Sequence, residues 1–214
     1  MITSWNTLPI REYKDLMQIF RSQITEEEKV FKATAILAGM DYERFLELPL
    51  KDSKELIAQA GFLYTQPKAA KVKNIYHIGS RDYKLMKNVN GMSVAQYINY
   101  QAIVHIPPIE CIDSLMAIIL VPDGHKYGEI DEDIVTDEIA SNLDIESAMG
   151  IADFFTTSYE RSIKNKVSKA RTMIQFLKWM GRPKDKEERK AWNLQMETLL
   201  KELDSTYGYL SLKQ

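Results

Sequence analysis

The sequence predicts an α+β protein that is predominantly α-helical, with a helical body carrying one small β-hairpin at about 73–86, a long helix at about 144–180 and a C-terminal helical arm. Three observations predict it. Apolar residues recur by threes and fours through most of the chain, one segment alone joins two short β-branched and aromatic runs across a Gly-Ser pair, and one helical period runs unbroken from Asp144 to Leu177. The 214 residues, 45% of them hydrophobic, can build a genuine core.

Pro9 suits an opening turn, where its missing N–H is not needed, and Ile10, Tyr13, Met17 and Phe20 define an amphipathic helix over 8–22. Thr25 and Glu28 form a capping-box pair at the head of a second helix, which Gly39 ends. Tyr42, Phe45 and Leu46 mark a short helical turn. Asp52 with Glu55 then signals another helix, stopped by Gly61. The hairpin follows, with Asn74–Ile78 and Arg81–Leu85 flanking Gly79-Ser80, the pattern of a two-residue type II′ turn. An isolated hairpin is marginal in water, so it must lie on helices or pair with another strand.

Ser93 and Gln96 open a helix carried by Val94, Tyr97, Ile98, Gln101 and Val104 to the Pro107-Pro108 break. Ile109–Val121 is almost continuously apolar and reads as a central buried helix. The long helix of 144–180 would measure roughly 50 Å, with Gly150 and Thr156-Thr157-Ser158 as weak points where it could bend. Arg182-Pro183 stops it, and Trp192, Met196, Leu199 and Leu203 form a narrow stripe on a last helix at about 184–205. The domain boundary is placed near Gly181, dividing a body (1–181) from an arm (182–214).

Composition removes several function classes. Cys111 stands alone, so a disulfide-stapled domain is excluded. No basic-then-apolar leader pattern opens the chain and no apolar run reaches a bilayer's width, which leads us to expect a cytoplasmic protein without a membrane partner. His77, His105, His125 and Cys111 lack zinc spacing, the acids of 131–138 lack the calcium-loop pattern, and glycine-rich phosphate loops are missing. We therefore expect no metal, no cofactor and no catalytic residue. Cys111, with His105 or His125 as base, is the one nucleophile to weigh, and its place at the head of an apolar helix favours a buried structural thiol.

The charge is distributed unevenly. A formal balance of -2 hides nine acids at 123–146 and seven bases with no acid at 161–182. The basic run is the nucleic-acid candidate, through Arg161, Lys164, Lys169 and Arg171. Pairing with the acidic segment, Asp131 and Asp133 included, ranks ahead of it, within the chain or between neighbouring subunits. Trp179, Trp192 and Leu199 are candidate partner anchors on the arm.

Four stretches taken together, WNTLPIREYKDL (5–16), AILAGMDYERFLELPLKDSKEL (35–56), SLMAIILVPDGHKYGE (114–129) and AMGIADFF (148–155), resemble small proteins of the virion-morphogenesis gene clusters of tailed bacteriophages, particularly phages of Bacteroidales. Those proteins are tail assembly chaperones or minor virion proteins. The resemblance covers about residues 5–160 and carries over no functional residue. It implies a non-enzymatic protein that binds other phage structural or assembly proteins. Such a protein works in the host cytoplasm during assembly or stays in the virion as a structural or packaged component. It is expected to be an oligomer or part of a larger complex.

Overall fold

A computed structural model describes residues 1–180 and 186–211, with side chains except at 108, 109, 163, 166, 167, 175–180, 186, 187 and 203–211. The fold is α+β and predominantly helical, with one small antiparallel sheet. Two compact units divide the chain, Met1–Thr156 and Thr157–Gln214. The boundary expected near Gly181 lies outside the described residues.

The first unit opens with α1 (Ile10–Arg21) and α2 (Glu26–Ala38), which pack on each other. The Thr25 side chain accepts from the Glu28 N–H, and Gly39 ends α2 in the left-handed region at φ 66°. α3 (Tyr42–Leu46) and α4 (Leu50–Gln59) follow, both against α2. α4 begins two residues before Asp52, after Pro49, with no side-chain cap. Gly61 does not stop the chain either. It lies within a 3-10 turn, Ala60–Tyr64, that brings Phe62 edge-on to Trp5 with ring centroids 5.0 Å apart.

β1 (Ile75–Ile78) and β2 (Arg81–Leu85) form the expected hairpin, with Tyr76 opposite Tyr83. Gly79 takes φ 58° while Ser80 stays at negative φ, as a type II′ turn requires. The hairpin is not left with two strands. β3 (Leu120–Pro122) pairs with β2 in antiparallel register, Lys84 opposite Val121. That strand is the last stretch of the apolar run read as one helix, because the run has no change of period at Leu120. The helix itself, α6 (Pro108–Ile119), ends one residue earlier.

α5 (Val94–Ile103) carries a full capping box between Ser93 and Gln96, and α7 (Glu132–Asn142) packs on α6, α1 and β1. The core gathers Leu8, Ile10, Leu16, Tyr83, Met116, Ile119, Ile139 and Ile145, all fully buried. Leu8 to Ile10 also bond to the chain that follows α7, Ile145 N–H to the Leu8 carbonyl at 2.8 Å and Ile10 N–H to the Leu143 carbonyl at 3.1 Å.

α8 (Ile145–Met180) is a single helix of 36 residues, with Asp144 accepting from the Ser147 N–H at 2.8 Å. Gly150 is no bend. It is where the extended stretch 66–73 crosses the helix: a Cβ built there would stand 2.2 Å from the Ala70 carbonyl oxygen, and the Ala70 N–H donates to the Glu146 carbonyl at 2.9 Å. The second unit holds the rest of α8 and α9 (Lys186–Ser211). The Arg182-Pro183 stop and the Leu203 side chain lie outside the described residues.

Candidate functional site

α7 is the element around which polar chemistry collects. Gly124 and Gly128, at φ 79° and 80°, turn the chain after β3 so that it returns across α5 and α6. Asp131 then caps α7, its carboxylate accepting from the Asp133 N–H at 2.9 Å. Between this loop, α5, α6 and α7 lies a cleft of about 330 Å³. Its apolar lining includes the buried Ile118 and Val135 and the half-buried Ile103, and its polar lining includes Asn99, Lys126, Tyr127, Glu132 and Asp133. The Asn99 amide donates to the Tyr127 hydroxyl at 2.8 Å and to the Glu132 carboxylate at 3.0 Å. Burial, with the neighbouring Glu132 carboxylate, pushes the Tyr127 hydroxyl up to about 12.

A second cleft, about 260 Å³, is lined by residues of α1 and α7 and by Asp113 of α6. Asp133 and Thr136 line both. The second cleft is closed electrostatically by its own walls: Arg11 pairs with Asp137, and Lys14 with Asp113 at 2.7 Å.

Glu138, on the next turn of α7, ties the hairpin down. Its carboxylate accepts from the Tyr83 hydroxyl at 2.8 Å, from Arg81 at 2.7 Å and from the Ser80 N–H at 3.2 Å. Burial raises this carboxyl, but the Tyr83, Ser80 and Arg81 donors outweigh it and hold the group below the ordinary glutamate value. The reciprocal effect, led by burial, pushes Tyr83 up to about 12. A side chain at position 79 would collide with this carboxylate, its Cβ 2.6 Å from Oε1, so the turn glycine is required by space as well as by φ. Because every strong donor around Glu138 is already engaged, the cluster is a fastening.

Cys111 is buried at the head of α6, with the Pro107 carbonyl 3.6 Å from its sulfur. Burial, then Asp113, pushes its thiol up, the opposite of what activates a cysteine nucleophile. His77 and His125 are exposed beside Asp82 and Glu129. Among the described residues no group of three or more His, Cys, Asp or Glu is placed to hold a metal ion.

The least expected feature is α5. Its helical stripe turns outward: Val94, Tyr97 and Ile98 are 77%, 43% and 60% exposed, and Val104 and Ile106 beyond them are exposed as well. The buried side of α5 carries Gln96, whose amide donates to the Ile118 carbonyl at 3.0 Å, and Tyr100, edge-on to Phe155. Periodicity located the stripe and could not say which way it points, because Gln96 satisfies its amide inside and so permits the rotation.

The residues singled out in the sequence fall into separate groups. Asp131 and Asp133 are both exposed and meet at the N-terminus of α7, and of the two Asp133 lines the cleft. Arg161, Lys164, Lys169 and Arg171 are exposed on α8 in the second unit. At about 100° per residue, Arg161, Lys164 and Arg171 share a face, and Lys169 lies on the opposite flank beside exposed Met173. Trp192 is half-buried with its indole Nε1 enclosed and without a hydrogen-bond partner, and Leu199 is exposed. The Trp179 side chain lies outside the described residues. The acidic segment takes its cations from within the first unit: Asp123 pairs with Lys84, Asp137 with Arg11 and Glu138 with Arg81. Among the described residues no helix is long and apolar enough to cross a membrane. Comparisons with family models, with curated proteins and with solved structures found no match.

Proposed function

We propose that this chain is a non-enzymatic binding protein that acts through protein–protein contacts in the assembly of a tailed-phage virion, in the host cytoplasm, either transiently or as a retained component of the particle. The observation that carries the binding reading is the outward apolar stripe of α5. Three large apolar side chains, Val94, Tyr97 and Ile98, exposed at i, i+3 and i+4 of the helix that also lines the cleft, form the surface that protein partners cover. The phage setting rests on the resemblance over residues 5–160.

Mass spectrometry of purified particles, with crosslinked co-purification from infected cells, tests this reading. Stoichiometric presence in particles sinks the transient-chaperone form, and absence from them sinks the retained form. Recovery of the chain with no other phage protein in either fraction overturns the proposal. Val94→Glu with Ile98→Glu is expected to abolish co-purification.

A second reading has its own observation. Arg161, Lys164 and Arg171 lie on one exposed face of α8, in a stretch from 161 to 182 that contains no acid. Nucleic acid would bind there with steep salt dependence, and the absence of a gel shift at about 50 mM salt removes the reading.

A further inference from the structure

Within the acidic segment, Asp123, Asp137 and Glu138 each face a lysine or arginine, whereas Asp131, Glu132 and Asp133 have no cationic partner among the described residues, and Glu132 and Asp133 line the cleft. Glu132 meets only neutral groups, the Asn99 amide across the cleft mouth and the Tyr127 hydroxyl. The bases show the matching imbalance. Arg161 and Lys169 have no acidic partner among the described residues, and Lys164 reaches Glu160 only at 4.0 Å.

We propose that the cleft and the adjoining α5 stripe receive the α8 segment 161–173 of a second copy of this chain, so that copies associate head to tail. The occupant is chosen by two complementarities. Lys169 and Met173 stand one helical turn apart, both exposed, offering a cation and a flexible apolar side chain on one flank. The cleft offers the counterparts side by side: the carboxylates of Glu132 and Asp133, which outnumber the one lining cation, Lys126, and the apolar Ile103 and Ile118, with the outward Ile98 on the same helix, α5. A lysine stem can lie along such an apolar lining while its ammonium reaches the carboxylates. Because the two patches are different surfaces, the contact is heterologous: each copy gives its α8 to one neighbour and takes α8 from another.

The proposal deepens the protein-contact reading and rests on it. Its test uses the purified full chain alone, so its failure leaves the particle experiment unaffected. Light scattering and sedimentation across a range of concentrations should show mass rising with concentration at about 50 mM salt and falling at about 500 mM. One variant carries Glu132→Lys and Asp133→Lys, another Lys169→Glu. Each alone is expected to weaken self-association by about tenfold or more, since like charges then face each other. An equal mixture is expected to restore it, because each reversed surface meets its complement on the other variant. That rescue excludes misfolding as the cause of the single losses. A chain that stays monomeric at every concentration overturns the proposal, as does an oligomer unchanged by both reversals. If the Lys169→Glu variant loses only nucleic-acid retention, the proposal is overturned in favour of that ligand.

Discussion

Replacing Gly150 by alanine sets two well-defined effects against each other. In an exposed helix interior the change stabilises by about 1 kcal/mol, because alanine gives up less backbone freedom than glycine. Here the new methyl group would stand 2.2 Å from the Ala70 carbonyl oxygen, against about 3.4 Å for ordinary contact, and the obstacle is backbone. The 66–73 stretch must move off α8. That movement strains or breaks the Ala70 N–H bond to the Glu146 carbonyl and the Lys68 N–H bond to the Glu146 carboxylate, both 2.9 Å. Each such bond contributes about 1 kcal/mol, and overpacking without relaxation costs about 1–3 kcal/mol. Taking the cost as about 2–4 kcal/mol and subtracting the helix gain leaves a net loss of about 1–3 kcal/mol. In a chain of this size that lowers Tm by about 3–10 °C. Urea and thermal unfolding of Gly150→Ala read it directly, with Gly61→Ala as the comparison, since a Cβ at Gly61 meets nothing within 4 Å. A Gly150→Ala protein at least as stable as the parent would refute the crossing of the 66–73 stretch over α8.

Glu138→Ala leaves the buried Tyr83 hydroxyl without its acceptor and Arg81 without its carboxylate, so a loss of about 2–4 kcal/mol is expected in the same unfolding assays. The folded-state pKa of Glu138 is depressed, so its contribution is fully present above the unfolded carboxyl value and disappears as pH falls through the folded one. Glu138→Gln should therefore flatten that acid limb of the stability–pH curve, and an unchanged limb would contradict the assignment. Ser93→Ala removes one half of the capping box on α5 and is expected to cost about 1 kcal/mol, measurable as a shift in the urea midpoint.

Local chemistry made much of the fold legible. Thr25, Gly39, Ser93 with Gln96, and Gly79-Ser80 each act through neighbours within a few residues, so their meaning survives without knowledge of the rest of the chain. What could not be read depended on distant partners. Leu120–Pro122 becomes a strand because β2 offers an edge, although its own residues continue the apolar run of α6. Gly150 looks like a helix weakness until Ala70 is placed against it. Glu138 is one acid among nine in its segment, and nothing in its spacing tells that Ser80, Arg81 and Tyr83 converge on it from a hairpin more than fifty residues away. The rotation of α5 was hidden for the same reason, since the acceptor that lets Gln96 face inward is the Ile118 carbonyl.

The bonds from Leu8 and Ile10 to Leu143 and Ile145 have a consequence for biosynthesis. Ribosomes make the two sides of this clasp about 135 residues apart, and at about 5–20 residues per second the earlier side waits about 7–27 seconds for the later one. During that interval the Leu8 carbonyl and the Ile10 N–H of the nascent chain lack their partners, although α1 can already pack on α2. A message cut short before codon 143 would thus yield a chain whose opening segment lacks this seam, whereas translation past codon 145 supplies its second half.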